Sequence, residues 1–257
     1  MASMAQRWAS WALPLRKRLA HVGWTSRRIP WRLWCHLCAY DSMAVAFVAA
    51  ERAGRPMRFV QVGSNDGVVF DPLHNVVKTY GWTGVLLEPL PGLFDSLVAN
   101  YAGYPGLAFE NAAIADHDGV ATLFMVEPRP GDPYWVNQLA SFDKQVILSH
   151  VGKVDDLERR LVEVQVQALT FPTLVERHGL SEIDLVHTDV EGFDHEVVGQ
   201  IDLDAPWAPQ YLIFERQHMD AATFRGTRRR LVRAGYRCIN IWPDELAYRP
   251  AARYGRP

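Results

Sequence analysis

The stretch FVQVGSNDG, from Phe59 to Gly67, decides the fold of this chain. Its apolar run predicts a buried β-strand, and the turn that follows carries Gly63, Asn65 and Gly67. In an open α/β sheet, ligands bind in the crevice beyond the carboxyl ends of the strands, where glycines allow sharp turns and close approach of the backbone. We therefore predict the first strand of such a sheet and one edge of a ligand site.

This turn differs from the common phosphate-binding loops. It lacks the third glycine of G-x-G-x-x-G, and the chain contains no G-x-x-x-x-G-K-[ST] sequence. A nucleoside without phosphates therefore fits better than a dinucleotide or a triphosphate. Taken alone, however, the glycines and Asn65 also suit a purely structural turn.

The segment GVLLEP, residues 84–89, places Glu88 at the end of a second predicted strand, 25 residues after Gly63. A carboxylate there can accept hydrogen bonds from a ribose diol, as the acidic residue does in Rossmann folds about 20 residues after the glycines. The alternative is an exposed acid that caps the following helix.

From Arg58 onward, short apolar runs alternate with helical stretches, which indicates βαβ units and a mostly parallel sheet. In residues 162–168 the apolar positions alternate with Glu163, Gln165 and Gln167, so one face of that strand is expected to meet solvent. The further predicted strands are 85–87, 107–109 with 112–114, 120–126, 162–168, 183–187, 211–214 and 236–242.

The chain divides into a basic, Trp-rich helical extension at 1–50 and one domain at 51–257, with an insertion at 127–160. The insertion is too long for an ordinary connection and is our candidate for a substrate lid. Within it, Tyr134, Gln138 and Ser141 are candidates for polar contacts with the substrate, and surface placement is the alternative for each.

Composition limits the function classes. The chain has 257 residues, of which 49% are hydrophobic, and a formal net charge of −2, which disfavours nucleic-acid binding through a generally basic surface. Through Tyr40 there are seven Lys and Arg residues and no acid. This extension suits contact with a membrane surface, or packing on the core or on a second subunit as in a homodimer.

Cysteine usage and the amino terminus favour the cytoplasm, with peripheral contact at the inner face of the membrane as a further expectation. Three cysteines and no secretory peptide make a disulfide framework improbable, and no apolar run is long enough to span a bilayer. Cys35 and Cys38 have zinc-like spacing but lack a second such pair, so we expect helix packing instead.

The densest acid cluster, HTDVEGFDHE at 187–196, follows the strand at 183–187. Asp189 and Glu191 are candidates to face the cofactor or to take a proton from a hydroxyl, and capping of the next helix is the alternative. Glu215 ends the following strand, and His218 is a candidate general base or a structural histidine. We expect no bound metal, although such a cluster also suits Mg²⁺.

The sequence resembles the FkbM family of S-adenosylmethionine-dependent methyltransferases. The resemblance covers roughly residues 58–126 and 165–216 and is carried by VQVGSNDG, VLLEPLPGLFDSL, FENAAIADHDGVATL, IDLVHTDVEGFDHEVV and YLIFE. It implies a class I Rossmann-like core, a mostly parallel seven-stranded sheet with helices on both faces, and S-adenosylmethionine as cofactor. It also implies O-methylation of a hydroxyl on a glycan, glycolipid or specialised metabolite.

By position, the resemblance implies that Gly63, Asn65 and Gly67 lie under the methionine part of the cofactor, that Glu88 binds the ribose, and that Asn111 and Ala112 lie beside adenine. There is one departure: His187 and Thr188 stand where family members commonly carry Lys-Ile. A non-catalytic metabolite-binding protein, a nicotinamide-dependent oxidoreductase and a Mg²⁺-dependent O-methyltransferase are the rival functions. The expected cofactor contacts are Gly63, Ser64, Asn65, Gly67, Glu88, Pro89, Asn111, Ala112 and Asp189, the substrate contacts Gln138, Ser141 and Glu215, and the catalytic residues Asp189, Glu191 and His218.

Overall fold

A computed structural model of the protein describes residues 40–52 and 55–250. The strands are β1 (Arg58–Val62), β2 (Thr83–Leu87), β3 (Leu107–Glu110), β4 (Ala113–Ile114), β5 (Gly119–Val126), β6 (Ala140–Ser141), β7 (Leu161–Leu169), β8 (Leu185–Thr188), β9 (Tyr211–Glu215), β10 (Arg237–Ile241) and β11 (Asp244–Tyr248). The helices are α1 (Tyr40–Glu51), α2 (His74–Tyr80), α3 (Pro91–Asn100), α4 (Lys144–Leu148), α5 (Leu157–Arg160), α6 (Phe171–Arg177), α7 (Asp194–Gln200) and α8 (Ala221–Arg233), with a 3₁₀ helix at Tyr134–Gln138.

Seven strands form the main sheet in the order β10-β11-β9-β8-β1-β2-β3. Strands β3, β2, β1, β8 and β9 pair in parallel, and β11 runs antiparallel to both β9 and β10. The predicted Rossmann-like α/β fold is therefore confirmed. The chain continues from β1 to one side through β2 and later returns on the other side at β8, so the carboxyl ends of β1 and β8 flank the topological switch point.

Alternation along β1 explains how one strand supports two hydrophobic cores. Val60 and Val62 pack with α6, α7 and α8 on one face, whereas Phe59 packs with α1, α2 and α3 on the other. Successive side chains of a strand point to opposite faces, so a strand covered on both sides is mostly apolar, and the one buried polar residue of β1, Gln61, donates to Asp71 Oδ1 at 3.0 Å. Helices consequently cover both faces of the sheet, as expected.

Three of the predicted strands lie at least partly outside this sheet. Strands β4, β7, β5 and β6 form a second sheet in that order, built on an antiparallel ladder from Gly119–Ala168 to Val126–Leu161. The predicted strand at 107–114 is divided after Glu110, because β3 pairs with β2 and β4 pairs with β7. Local patterning predicts the existence of these strands but does not select their partners.

The last strand of the main sheet, β11, was not predicted. Its residues Asp244 and Glu245 carry acidic side chains, yet they are 4% and 0% exposed. β11 lies between β9 and β10, so its backbone is paired on both sides and it is an interior strand of the sheet.

The insertion at 127–160 is packed around a small core of its own that includes Val136, Leu139 and Ile147. The Arg160 side chain is 1% exposed, and its guanidinium donates to the backbone carbonyl of Glu127 and to the Asp132 carboxylate. A buried guanidinium with several acceptors holds the two ends of the insertion together.

Most of the predicted extension, including the Cys35–Cys38 pair, lies outside the described residues. Its last part forms α1, where Ala44, Val45 and Val48 are buried in the core of the main sheet. Within residues 40–52 and 55–250, no helix combines the length and apolarity that a membrane crossing requires.

Candidate active site at the switch point

Gly63 lies where the end of β1 passes closest to the end of β8. Its φ is 81°, and a Cβ built on it would stand 2.0 Å from the backbone oxygen of Asp189. The backbone N–H groups of Gly63 and Ser64 donate to the carbonyl of Leu87 at 3.1 and 2.9 Å, which joins the turn to β2. Gly63 is thus required by contact between protein backbones, a reason that its sequence position does not show.

The rest of the turn is held by similar contacts. Gly67 has a φ of 69°, and a Cβ there would lie 2.5 Å from Leu97 Cδ1. Ser64 is buried, and its hydroxyl donates to the carbonyl of Gln61 at 3.3 Å. Asn65, with a φ of 48°, donates its backbone N–H to Glu88 Oε2 at 2.9 Å. The turn and the end of β2 therefore form one hydrogen-bonded unit.

Glu88 is buried at the carboxyl end of β2, with 3% of its surface exposed. Oε2 accepts from Asn65, and Oε1 accepts from the backbone N–H of Leu90 at 2.9 Å. An ionised carboxylate has about four acceptor positions, so two backbone donors leave capacity for the two hydroxyls of a ribose. This geometry fits the predicted ribose contact, and burial raises the pKa of the Glu88 carboxyl to about 7.

Asn111 and Ala112 lie just beyond β3, and both make contacts within the protein. The amide nitrogen of Asn111 donates to the backbone carbonyls of Glu88 and Pro89 at 2.8 and 3.2 Å. Ala112 is 2% exposed and packs in the hydrophobic core. Their predicted contact with adenine stays a prediction, and the observed bonds show that Asn111 positions the Glu88 backbone.

The end of β8 brings the predicted acids to the same crevice. Asp189 is half-buried, and its backbone N–H donates to the carbonyl of Val62 at 3.1 Å. Two residues later, Glu191 adopts a φ of 52° and places Oε2 3.2 Å from His218 Nε2. The structure thus pairs two residues that are 27 positions apart in the sequence.

Glu215 joins that pair at the end of β9 and is 8% exposed. One ligand atom from each of Glu191, Glu215 and His218 lies within 4.8 Å of the others. We call these three side chains the Glu-Glu-His cluster. It offers two carboxylates and an imidazole to an acceptor hydroxyl or to a cation.

Two residues of the insertion that were predicted to contact the substrate, Gln138 and Ser141, form hydrogen bonds to other segments of the domain. The Ser141 hydroxyl donates to the backbone oxygen of Glu191 at 2.6 Å and accepts from the backbone N–H of Asp143 at 3.0 Å. Gln138 donates its side-chain amide to the carbonyl of Val69 at 3.2 Å. The side chain of Tyr134 lies outside the described part of the chain.

A cavity of about 340 Å³ was not predicted from the sequence. Its walls include the rings of Phe142 and Phe193, with centroids 4.6 Å apart, and the polar side chains of Asp116, His117 and Thr122. We call it the aromatic cavity. Phe193 follows Glu191 by two residues, and Phe142 follows Ser141, whose hydroxyl donates to the Glu191 backbone oxygen.

Asp194 is a buried acid at the first position of α7 that the sequence did not single out as a site residue. It is 0% exposed and accepts from the Thr188 hydroxyl at 2.9 Å and from the backbone N–H of Val190 at 3.4 Å. Burial raises the pKa of the Asp194 carboxyl to about 7. Its bonds hold the backbone that carries Asp189 and Glu191.

The raised pKa of Asp194 leads to a prediction about stability. The pKa of Asp194 is higher in the folded chain than in the unfolded chain, so the protonated carboxyl stabilises the fold. This contribution to the free energy of unfolding is fully present below about pH 4 and is lost as the pH rises through 7. The free energy of unfolding of the unmodified chain, measured in urea, should therefore fall relative to that of Asp194→Asn between pH 5 and 8.5.

Asp118→Asn is the control for this series. Hydrogen bonds from Thr170 and Thr173 lower the pKa of the Asp118 carboxyl, so its contribution stays constant across that pH range. If the free energy of unfolding changed equally with pH in the unmodified chain and in Asp194→Asn, the raised pKa of Asp194 would be contradicted.

Comparison with known proteins adds a family. The model described as "Methyltransferase FkbM domain" matches residues 61–238, which is more than half of the chain. A search of curated proteins found no match.

Three solved structures illustrate the similarity in fold. Fibrillarin from Aeropyrum pernix, in complex with natively bound S-adenosyl-L-methionine, is 9% identical with a TM-score of 0.43, covering 81% of this chain and 75% of that one. Precorrin-6y C5,15-methyltransferase from Geobacter metallireducens is also 9% identical with a TM-score of 0.43, covering 84% and 91%. The fibrillarin pre-rRNA processing protein of Methanococcus jannaschii is 11% identical with a TM-score of 0.37, and this chain covers 65% of its length.

The family match includes the glycine turn, Glu88 and the end of β8, which together form the switch-point site. The chain belongs to the FkbM methyltransferase family, and S-adenosylmethionine is its cofactor.

Proposed function

We propose that the protein transfers the methyl group of S-adenosylmethionine to a hydroxyl oxygen of a glycan, glycolipid or hydroxylated metabolite. The observation that carries this proposal is the Glu-Glu-His cluster at the switch point. Carboxylate and imidazole groups suit an acceptor that must lose a proton as it reacts. The rival nicotinamide and non-catalytic functions have no comparable supporting feature among the described residues.

The aromatic cavity supports a hydroxylated ring as the acceptor. The rings of Phe142 and Phe193 offer apolar surface to the C–H face of a sugar-like ring. Asp116, His117 and Thr122 offer polar partners for its hydroxyls. Small-molecule sites commonly combine apolar walls with a few polar groups that fix orientation.

The proposed reaction is an in-line displacement. A lone pair of the hydroxyl oxygen forms a bond to the methyl carbon, the carbon–sulfur bond breaks, and its electron pair stays on sulfur. The cofactor leaves as the neutral thioether, and a carboxylate or imidazole of the Glu-Glu-His cluster accepts the hydroxyl proton. A site that aligned the methyl donor with the acceptor oxygen would supply most of the expected acceleration.

Substitutions in the cluster test the proposed residue roles. Glu191→Gln and His218→Asn should lower the turnover number by about 10²- to 10⁴-fold, which is the usual contribution of proton transfer. Binding of S-adenosylhomocysteine, measured by calorimetry, should change by less than about twofold because the ribose contact is separate. Turnover is measured with labelled methyl donor against extracts of the source organism.

The neighbouring pair His195 and Glu196 provides the control. Their side chains lie 3.4 Å apart on α7 and are partly exposed, so His195→Asn and Glu196→Gln should keep full turnover. Unchanged turnover in Asp189→Asn, Glu191→Gln and His218→Asn would disprove the catalytic assignment. The ¹³C chemical shift of the transferred methyl group separates an O-methyl product from an N-methyl product.

A further inference from the structure

We infer that Glu191, Glu215 and His218 form a binding site for one divalent transition-metal cation, of the Mn²⁺ or Zn²⁺ class. Their ligand atoms all lie within 4.8 Å of one another, and Glu191 Oε2 and His218 Nε2 are 3.2 Å apart. Bonds of about 2.0–2.2 Å from carboxylate oxygen or imidazole nitrogen to a central cation require only a modest contraction of this arrangement.

The three ligands come from two segments and are held in place before any cation binds. Glu191 lies in the loop between β8 and α7, where Ser141 donates a 2.6 Å hydrogen bond to its backbone oxygen. Glu215 is the last residue of β9. Gly192 lets His218 approach closely, since a Cβ there would lie 3.1 Å from the Cβ of His218. Contacts that orient metal ligands in this way raise affinity.

The donor set determines the class of cation. Carboxylate oxygens suit Mg²⁺, Ca²⁺ and Mn²⁺, whereas an imidazole nitrogen suits Zn²⁺ and other transition metals. A set of two carboxylates and one imidazole therefore favours Mn²⁺ or Zn²⁺ over Mg²⁺. Two carboxylates this close also repel each other, and a cation between them offsets that repulsion.

The burial of the site is suited to catalysis. The side chains of Glu191 and His218 are 29% and 12% exposed, and Glu215 is 8% exposed. Three protein ligands leave at least one coordination position for water or substrate, as in catalytic metal sites. The open side is therefore available to a ligand that enters from the crevice.

This inference rests on the proposed function and specifies how the cluster acts in it. The acceptor hydroxyl would take an open coordination position, where the cation lowers the pKa of its O–H group. In this more specific form Glu191 and His218 hold the cation and do not themselves accept the proton, which passes to a water molecule as the oxygen attacks the sulfonium methyl. The acceptor class narrows to molecules whose hydroxyl can coordinate a metal, such as sugar or catechol diols.

The test is a titration of MnCl₂ into the EDTA-treated full chain, followed by the electron paramagnetic resonance signal of free Mn²⁺. We expect one Mn²⁺ per chain and displacement by Zn²⁺. Glu191→Gln, Glu215→Gln and His218→Asn should each weaken binding at least about tenfold, because even supporting residues of metal sites have effects of about 10- to 100-fold.

His178→Asn is a matched control. His178 Nε2 lies 2.8 Å from Glu110 Oε1, so it forms a histidine–glutamate pair outside the cluster, and Mn²⁺ affinity should be unchanged. Binding of S-adenosylhomocysteine shows which variants are folded. Of the three cluster variants, Glu191→Gln is expected to disturb folding least, because the Glu191 side chain is the most exposed of the three.

The inference is overturned if the unmodified chain binds neither Mn²⁺ nor Zn²⁺, or if the folded cluster variants bind Mn²⁺ as tightly as it does. This outcome is independent of the proposed function, because the titration uses no cofactor or acceptor. Full methyl transfer in EDTA without Mn²⁺ binding would leave the proposed function standing and reject the cation. Mn²⁺ binding without methyl transfer to any hydroxyl would support the cation site and reject the proposed function.

Discussion

Gly63→Ala should cost on the order of 4 kcal/mol or more of folding free energy, enough to leave much of a marginally stable domain unfolded. The added Cβ would stand 2.0 Å from the backbone oxygen of Asp189, and that atom belongs to a strand end that cannot move alone. The φ of 81° adds a cost of about 1–2 kcal/mol for any side chain. Urea unfolding followed by circular dichroism measures the loss.

Gly103→Ala separates the two causes. Gly103 has a φ of 84°, but a Cβ there meets nothing within 4 Å. Gly103→Ala should therefore lower the folding free energy only by the cost of a side chain at positive φ, about 1–2 kcal/mol. Equal losses in both variants would show that the close contact between the turn and β8 is unimportant.

Glu88→Gln should weaken binding of S-adenosylhomocysteine at least about 30-fold, which corresponds to about 2 kcal/mol. The amide removes the charge and one acceptor oxygen, and hydrogen bonds to charged groups contribute about 1.5–3 kcal/mol each. It also places an NH₂ group against the backbone donor of either Asn65 or Leu90. Isothermal calorimetry at pH 8 measures the affinity directly.

Two further measurements check this assignment. With a pKa of about 7, the Glu88 carboxyl gains a proton as the pH falls from 8 to 6, so cofactor affinity should fall in the unmodified chain and stay constant in Glu88→Gln. Glu110→Gln removes an acid at the end of β3 whose side chain faces Arg177 and His178, and it should bind normally. Tight binding by Glu88→Gln would mean that another group holds the ribose.

Local patterns were sufficient for the main elements of the fold. The apolar runs before Gly63 and Glu88 became β1 and β2, and their glycine and acid turns lie at adjacent strand ends. Glu163, Gln165 and Gln167 are exposed as their alternation predicts. These features depend on spacing within one segment, which a chain displays before it folds.

Partner choice between distant segments was not predictable in the same way. The ladder of β5 with β7 produced a second sheet, and the buried acids of β11 did not resemble an interior strand. Strand patterning specifies which face is buried but not which strand lies beside it.

The sequence by itself determined the family, the α/β class, the cofactor turn and the acid at the end of β2. Only the tertiary structure decided that position 63 must be glycine because the Asp189 backbone lies against it. It also decided that His218 lies beside Glu191 and Glu215, and that Phe142 and Phe193 line one cavity. The physical reason is distance along the chain. Turn chemistry and periodicity act over a few residues, whereas these contacts join segments that meet only when the cores on both faces of the sheet are packed.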